Sequence, residues 1–553
     1  MNNQNISTKE MLDLAYKNHM KNNFKVAENY YLKILKVQPD HFDSVFLLGT
    51  LFFQIKNYED AVRMLTKAIK INPRSINSYQ NLGVALIDMG KTVKAVEVLK
   101  RASEIKPDHA GIMYNLGNAF KELGKFDEAI TCYENTLKLE PKNTKAYNNL
   151  GNALKQLRKN KEAIDVFKKA IAIDPKHINA NHNLANTYKE IGSFEKSKEY
   201  YKKSYEFNSN LESLHSLSEL DVAVLDQNAK SKIDKIMTQK KISENNIAYG
   251  KFILSKYHKK ENNLKKEFEF LLQGHKHYFL SQKTMFQKGI NYWLKQLPEF
   301  KELIDLNFDI KIEENKKIKP IFIVGVPRSG STLIEKVIGS GPNNIPMGEE
   351  IGIFNFLMGE IIVAKKTLSN ELENLNSKVI KMYKSKELLN KKNEYIFTDK
   401  TLDNFFFVAL IKKIFPRSKF INCKRRPSSS IMSIIKNNLG AVSWAHDLEH
   451  IFQYFDIYHN KIEFFKKKFA NFIYDIELEN FVSNPEVEAK KLITYCELPW
   501  DKKCLEFYKR KDLVSRTASN IQIRKAIFSN SDSEHEIYKN LLKDFGKKYS
   551  WFN

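Results

Sequence analysis

A period of 34 residues runs through the first two hundred positions of the chain and constrains the fold more than any other feature. Three residue types each recur in their own phase of this period. The prolines are Pro39, Pro73, Pro107, Pro141 and Pro175; the glycines are Gly49, Gly83, Gly117 and Gly151, with Ala185 in phase; the alanines are Ala27, Ala61, Ala95, Ala129 and Ala163, with Ser197 in phase. A fixed period of this length predicts stacked structural repeats.

Each repeat has the pattern of two amphipathic helices, for example residues 146–154 followed by residues 162–171. Small residues at the helix contact let the axes approach closely, and the proline, which cannot continue a helix, separates one unit from the next. The pattern resembles the tetratricopeptide repeat over residues 7–210, with five clear units and a degenerate sixth. The resemblance implies an all-α superhelix whose concave face binds a protein or peptide.

Asparagines are concentrated on the predicted first helices of these units. They are Asn115, Asn118, Asn148, Asn149, Asn152, Asn183 and Asn186. Their side-chain amides are suited to hydrogen-bond the backbone of a bound peptide. The alternative is compositional, because asparagine is common throughout this chain.

The 34-residue period ends near residue 210. Residues 211–312 carry mixed polar and apolar helical patterns without a motif, and we expect an all-helical connector there. The chain is therefore divided into repeats at residues 1–210, a connector at 211–312 and a C-terminal domain at 313–553.

A phosphate-binding loop opens the C-terminal domain. A continuous apolar run ends at Gly325, as a buried parallel strand requires, and a helical pattern begins at Leu333. Backbone N–H groups in the intervening turn, together with the helix N-terminus, form an anion site. The predicted phosphate-binding residues are Pro327, Arg328, Ser329, Gly330, Ser331 and Thr332. Ser331 replaces the lysine of a nucleotide triphosphatase loop, which favours a cofactor with one 5′-phosphate over ATP.

A second phosphate site is predicted about 90 residues later. Residues 418–425 have the pattern of a strand that ends in basic residues, and residues 427–437 that of the following helix. Arg425 at the strand end and Ser433 on the helix are placed to bind one phosphate together. Two phosphate sites on one α/β sheet suit an adenosine 3′,5′-bisphosphate ligand; the alternative is a basic strand end that faces solvent.

With both predicted phosphate sites taken together, residues 318–526 resemble the sulfotransferase family, which uses 3′-phosphoadenosine 5′-phosphosulfate (PAPS). The matching motifs are the loop at 326–332, Gly348-Glu349-Glu350, Asp399-Lys400, the strand and helix at 419–435, Tyr474-Asp475, Pro499-Trp500, and Ser519 with Gln522 and Lys525. Their order is most similar to that of the protein-tyrosine sulfotransferases. The resemblance implies a three-layer α/β fold, similar to P-loop proteins, around a central parallel sheet.

The resemblance also implies roles for individual residues. Glu350 is the candidate general base, with Glu349 as its rival. Arg328, Lys400 and Ser519 would hold the transferring sulfonate and the bridging oxygen. Tyr474 and Lys525 complete the predicted cofactor-binding set, and no metal is expected. His446 and His450 are interpreted as structural.

The net charge and the cysteine content limit the kinds of partner that the protein is expected to bind. Lys and Arg number 90 against 65 Asp and Glu, a net charge of +25 that favours anionic ligands. The charge is dispersed and no nucleic-acid-binding motif occurs, so we expect no nucleic-acid partner. The four cysteines have no metal or disulfide spacing, and neither a leader nor a transmembrane stretch is evident; a cytoplasmic protein is expected.

Three alternatives to a tyrosine-specific enzyme remain open. The first is a sulfotransferase whose acceptor hydroxyl belongs to a carbohydrate or a small molecule. The second is a nucleotide-dependent kinase or triphosphatase, which the missing loop lysine disfavours. The third is a scaffold whose transferase domain has lost its activity, which the joint presence of loop, base, lysine and second phosphate pair disfavours.

Overall fold

The structure is a computed structural model that describes residues 7–208, 210–304, 317–389, 395–510, 522–527 and 534–552. The chain divides into two compact units, residues 1–188 with 195–208 and residues 189–194 with 209–553. The predicted boundary between connector and C-terminal domain, at residues 312 and 313, lies outside the described residues. The three-part division of the chain stays a prediction.

The first unit consists of six consecutive pairs of helices, and the predicted tetratricopeptide superhelix is confirmed. The helices are α1 (Thr8–Met20), α2 (Phe24–Val37), α3 (Phe42–Gln54), α4 (Tyr58–Ile71), α5 (Ile76–Asp88), α6 (Thr92–Ile105), α7 (Ala110–Glu122), α8 (Phe126–Leu139), α9 (Thr144–Gln156), α10 (Asn160–Ile173), α11 (Ile178–Glu190) and α12 (Phe194–Asn208). The periodic prolines lie in the turns between successive pairs.

The periodic glycines lie at the helix contacts, as expected. Each faces a fully buried side chain 16 residues later, on the second helix of the same pair. A Cβ atom at Gly49, Gly83, Gly117 or Gly151 would lie 2.9, 2.6, 2.7 or 2.5 Å from a side-chain atom of Leu65, Leu99, Tyr133 or Phe167, respectively. These approaches are too short for a carbon atom, so the repeat needs its glycines for packing.

Gly117→Ala is expected to lower the melting temperature of the protein, because the new methyl group would overlap the buried ring of Tyr133. Overpacking of this kind costs about 1–3 kcal/mol. The matched control is Gly111→Ala in the same helix, where the nearest atom is the flexible amide end of Gln80. Thermal unfolding of both variants checks the difference, and an equal melting temperature would contradict the packing role of Gly117.

Some asparagines of the first helices form hydrogen bonds with residues of the neighbouring repeat. Asn149 Nδ2 donates to Tyr114 Oη at 3.1 Å and to Asn118 Oδ1 at 3.0 Å. Asn183 Nδ2 donates to Asn148 Oδ1 at 2.9 Å. These amides therefore help to join successive repeats, and their contact with a bound peptide stays a prediction.

The second unit begins with helices, and no strand occurs in the described residues 210–304. The helices are α13 (Leu211–Leu220), α14 (Gln227–Met237), α15 (Glu244–Lys260), α16 (Leu264–Ser281), α17 (Lys283–Asn291) and the short α18 (Leu297–Glu299). This agrees with the all-helical character expected for the connector.

A parallel sheet of four strands follows, and the central parallel sheet that the family resemblance implies is confirmed. Its strands are β1 (Lys319–Gly325), β2 (Ile396–Asp399), β3 (Lys419–Lys424) and β4 (Ile473–Glu477), in the order β2-β1-β3-β4. The helices around it are α19 (Ser331–Gly339), α20 (Ile353–Val363), α21 (Leu368–Ser385), α22 (Val408–Ile414), α23 (Pro427–Asn437), α24 (Leu448–Lys468), α25 (Leu478–Ser483), α26 (Pro485–Tyr495) and α27 (His535–Gly546).

The register of the sheet brings three chain segments to one edge. Gly325, the last residue of β1, pairs with Cys423 near the end of β3, and Asp399 at the end of β2 pairs with Phe322. Because all strands are parallel, the segments that follow β1, β2 and β3 leave from the same edge, where α/β proteins bind their ligands. Among the described residues, no helix combines the length and the apolar character needed to cross a membrane.

Candidate functional site

The turn after β1 has the backbone of an anion-binding loop. Arg328 and Gly330 both adopt left-handed conformations, with φ of 71° and 93°, and α19 begins at Ser331. A Cβ atom on Gly330 would lie 2.6 Å from Leu478, so glycine is required there. Ser329 Oγ is buried and has no hydrogen-bond partner among the described residues. This loop and the N-terminus of α19 present donors suited to a phosphate.

The structure joins the loop to the second predicted phosphate site. Arg328 Nε donates to Ser433 Oγ at 2.9 Å, and Arg425 Nη1 donates to the carbonyl oxygen of Arg328 at 3.2 Å. Burial lowers the pKa of Arg328 to about 10, and the charge of Arg425 acts in the same direction. The charge of Arg425 thus acts on Arg328, and two cationic side chains at this place favour an anionic ligand.

Arg425 and Ser433 also line a cleft between α23 and α27. The other lining residues are Ser428, Ser429, Met432, Lys436, Asn437, Glu534, His535 and Tyr538. The wall that α23 contributes carries three serine hydroxyls and one cation, Lys436, which pairs with Glu534 of the same lining at 3.3 Å. Together with Arg425, these groups are suited to a polar, negatively charged ligand.

The segment after β2 places Lys400 against Glu350. Lys400 Nζ lies 2.8 Å from Glu350 Oε1; the lysine side chain is fully buried, whereas that of Glu350 is 53% exposed. Burial acts to lower the pKa of Lys400, but the carboxylates of Glu350, Glu335 and Glu349 outweigh it and raise the pKa above its ordinary value. Lys400 is therefore a fixed cation, and the carboxylate beside it is open to solvent.

Glu349 points to a different partner. Its carboxylate accepts a hydrogen bond from Lys336 Nζ at 3.1 Å, and both side chains are almost completely buried. The backbone of Glu349 is left-handed, with φ of 53°. The two rival carboxylates therefore have different surroundings. Glu350 pairs with Lys400 and is exposed to solvent, whereas Glu349 pairs with Lys336 and is buried.

The remaining predicted site residues are less informative. Tyr474 lies on β4 opposite Ile421, and its ring stacks on that of Tyr495 with centroids 4.8 Å apart. It therefore packs against the core beside the sheet and does not lie at the carboxyl ends of the strands. Lys525 is exposed. Ser519 lies outside the described residues. The roles of these three residues stay predictions.

Two histidines near α24 were interpreted as structural. His446 is buried, and its Nδ1 lies 3.0 Å from Nδ1 of His275 on α16. Burial lowers the pKa of His446 to about 3. His450 lies in the first turn of α24, where its backbone N–H donates to Asp447. Within the described part of the chain, no three His, Cys, Asp or Glu residues are grouped as metal ligands.

Sequence reasoning missed two buried carboxylates beside the site. Asp403 accepts hydrogen bonds from Tyr454 and Asn355; burial raises its pKa to about 6, and the charge of Glu350 adds to that effect. Glu335 lies on α19, fully buried. The available signal for Glu335 was a charged pair, Glu335-Lys336, inside an otherwise apolar helix.

Comparison with protein families gives matches in the helical repeats and in the part of the chain that holds the parallel sheet. The model of a sulfotransferase family matches residues 320–502. Models of tetratricopeptide repeats match residues 85–124, 117–157, 144–177 and 166–199, and a model of subunit 3 of the anaphase-promoting complex, or cyclosome, matches residues 20–102.

Individual proteins match parts of the chain. An uncharacterized protein of Aquifex aeolicus (strain VF5) is 26% identical over 334 residues, which are 56% of this chain and 42% of the relative. Among solved structures, MamA is 30% identical and covers 31% of this chain and 92% of its own, with a TM-score of 0.29. YrrB, a tetratricopeptide protein with an unusual peptide-binding site, is 19% identical and covers 34% and 96%, with a TM-score of 0.29.

The family matches coincide with the two structural features already described, the paired helices and the loop-bearing parallel sheet. The chain therefore combines tetratricopeptide repeats with a sulfotransferase domain at residues 320–502.

Proposed function

We propose that the protein transfers the sulfuryl group of PAPS to a tyrosine hydroxyl of a protein, and that its repeat array binds the acceptor or a partner protein. The observation that carries the proposal is the junction of Arg328, Arg425 and Ser433 at one edge of the sheet. It supports a 5′-phosphate site next to a 3′-phosphate site, which is the pattern of a 3′,5′-bisphosphorylated nucleotide.

The residues present fit such a nucleotide. The loop at 326–332, with the unpartnered buried hydroxyl of Ser329, would hold the 5′-phosphate, and Arg425 and Ser433 would hold the 3′-phosphate. When bound, the donor supplies a sulfuryl group on a phosphate leaving group. The lysine that would reach β- and γ-phosphates is absent from the loop, which disfavours ATP.

Two side chains would act on the acceptor and on the charge that develops. Glu350, half exposed in the segment between α19 and α20, would accept the proton of the acceptor hydroxyl. Lys400 orients that carboxylate and, together with Arg328, holds positive charge at the sheet edge where negative charge grows on the leaving phosphate. General-base catalysis and electrostatic stabilisation account for the chemistry that sulfuryl transfer requires.

Arg425→Ala is expected to weaken the binding of adenosine 3′,5′-bisphosphate by about 10- to 150-fold, since a hydrogen bond to a charged group contributes about 1.5–3 kcal/mol. Binding of AMP should change little, because AMP has no 3′-phosphate. Calorimetry with the bisphosphate, AMP and ATP measures this, with the exposed Arg417→Ala as control. Wild-type affinity for ATP equal to that for the bisphosphate would favour a kinase instead.

The acceptor is tested by transfer of labelled sulfate from PAPS with the full-length protein. We expect label on tyrosine-containing peptides and none on the same peptides with phenylalanine in place of tyrosine. A protein acceptor should react at lower concentration than a short phenol, because the array adds binding at a distance from the reacting oxygen. Transfer to sugars alone would overturn the tyrosine assignment and leave the donor assignment standing.

A further inference from the structure

A buried charged network lies directly behind the candidate base. It consists of Glu335 and Lys336 on α19, Glu349 in the loop after α19, and Thr398 on β2, and we refer to it as the Glu335 network. Glu335 and Thr398 are completely buried, Lys336 is 1% exposed and Glu349 is 8% exposed. Charged groups are rarely buried to this extent unless they are paired and hydrogen-bonded.

Glu335 connects two segments of the chain through one oxygen atom. Its Oε1 accepts from the backbone N–H of Glu349 at 2.9 Å and from the hydroxyl of Thr398 at 2.8 Å. Lys336, the next residue along the helix, donates to the carboxylate of the same Glu349 at 3.1 Å. Consecutive residues of α19 therefore hold both the backbone and the side chain of Glu349.

The loop is also fixed to the strand by backbone hydrogen bonds. Gly348 N donates to the carbonyl oxygen of Thr398, and Lys400 N donates to that of Glu349, each at 2.9 Å. These bonds align the residue before Glu350 with the residue before Lys400. The ion pair between Glu350 and Lys400 is thus the end of a continuous set of bonds that starts on α19.

The conformation of Glu349 indicates why such support is needed. A residue other than glycine is held in a left-handed conformation only where its surroundings determine it, and Glu349 has φ of 53°. This turn directs the carboxylate of Glu349 to Lys336 and that of Glu350 to Lys400. Without the bonds from α19, the loop would be held by its backbone bonds to β2 alone, and the position of Glu350 would be less well fixed.

We propose that Glu335 is a positioning residue that fixes Glu350 relative to the phosphate loop. The helix that carries Glu335 starts at Ser331, in the loop itself, so one rigid element sets the distance between the anion site and the carboxylate. The inference rests on the proposed role of Glu350 as the base. It assigns Glu349 to the same supporting set rather than to the chemistry.

The test compares Glu335→Ala with Glu335→Gln in the full-length protein. Glutamine keeps an oxygen at the position that accepts both hydrogen bonds, so its kcat should stay within about threefold of wild type. Alanine removes that oxygen, and we expect kcat to fall about 100-fold, as a misplacement of about 1 Å can cause. Affinity for adenosine 3′,5′-bisphosphate should stay within about threefold in both, because the phosphate-binding groups are untouched.

Hydrogen exchange supplies a readout that does not depend on activity. Residues 346–352 should exchange faster in Glu335→Ala than in Glu335→Gln, whereas β3 should not change. Glu486→Ala, which breaks an exposed ion pair with Lys490 on α26, is the control for loss of a glutamate and should leave both measurements unchanged.

The outcomes separate the inference from the proposed function. Full kcat in Glu335→Ala, or a loss of bisphosphate affinity as large as the loss of kcat, would overturn the positioning role. If Glu335→Ala does not fold, Thr398→Val removes the hydroxyl that donates to Glu335 and, with it, the longer 3.3 Å bond that this hydroxyl accepts from Gly348 N; kcat should fall about tenfold with bisphosphate affinity kept. If the wild type transfers no sulfuryl group, the proposed function fails, and the exchange contrast alone decides whether Glu335 holds the loop.

Discussion

Glu350→Gln is expected to slow sulfuryl transfer by about 10²–10⁴-fold, the usual contribution of a general base. The amide has nearly the same shape as the carboxylate and keeps an oxygen that can accept the hydrogen bond of Lys400, now 2.8 Å from Glu350 Oε1. What it loses is the ability to take a proton from the acceptor hydroxyl. Transfer of labelled sulfate measures the rate, and calorimetry with adenosine 3′,5′-bisphosphate should show unchanged binding.

Glu349→Gln is the matched control for this prediction. Its amide oxygen still accepts from Lys336, and its backbone bonds to Glu335 and Lys400 are the same, so we expect a change in rate of less than about tenfold. A full rate in Glu350→Gln would rule out Glu350 as the base. If Glu349→Gln were the slower of the two enzymes, the base would instead be Glu349.

The fold of the repeats was predictable because its contacts are close in sequence. Gly117 and Tyr133, for instance, are 16 residues apart, and the same pair of positions recurs in each unit with a small and a large residue. A pattern repeated five times identifies both the helices and the face on which they meet. The hydrogen bonds between asparagines of neighbouring repeats were not predicted, because composition alone does not distinguish a bonded amide from a free one.

The candidate site was predictable only in part. The phosphate loop is contiguous in sequence, and its turn and helix start appear as expected. The bond between Arg328 and Ser433 joins residues 105 positions apart, and the sequence analysis, which treated the two phosphate sites as separate, did not predict it. Glu335 was missed because a charged residue on a helix is normally interpreted as solvent-facing, and only the packing of α19 shows it to be buried.

Lys400→Met is expected to lower kcat by about 10²–10³-fold, which is the effect of removing one group that stabilises charge in a transition state. Lys400 is completely buried at this edge, and the three carboxylates of Glu350, Glu335 and Glu349 raise its pKa. Methionine fills a similar volume without the charge. The variant would lose the positive charge near the leaving phosphate. It would also lose the ion pair that holds Glu350 in position.

A change of this size has to be separated from unfolding, because Glu335 and Glu349 lie buried close to the lost cation. Removing one partner of a fully buried ion pair costs about 3–5 kcal/mol; the cost here should be smaller because Glu350 is 53% exposed, but the melting temperature should still fall. The rate is therefore measured below the unfolding transition, with Lys502→Met, an exposed lysine, as control. If folded Lys400→Met kept more than a tenth of the wild-type kcat, Lys400 would neither stabilise the leaving group nor be needed to hold Glu350 for the reaction.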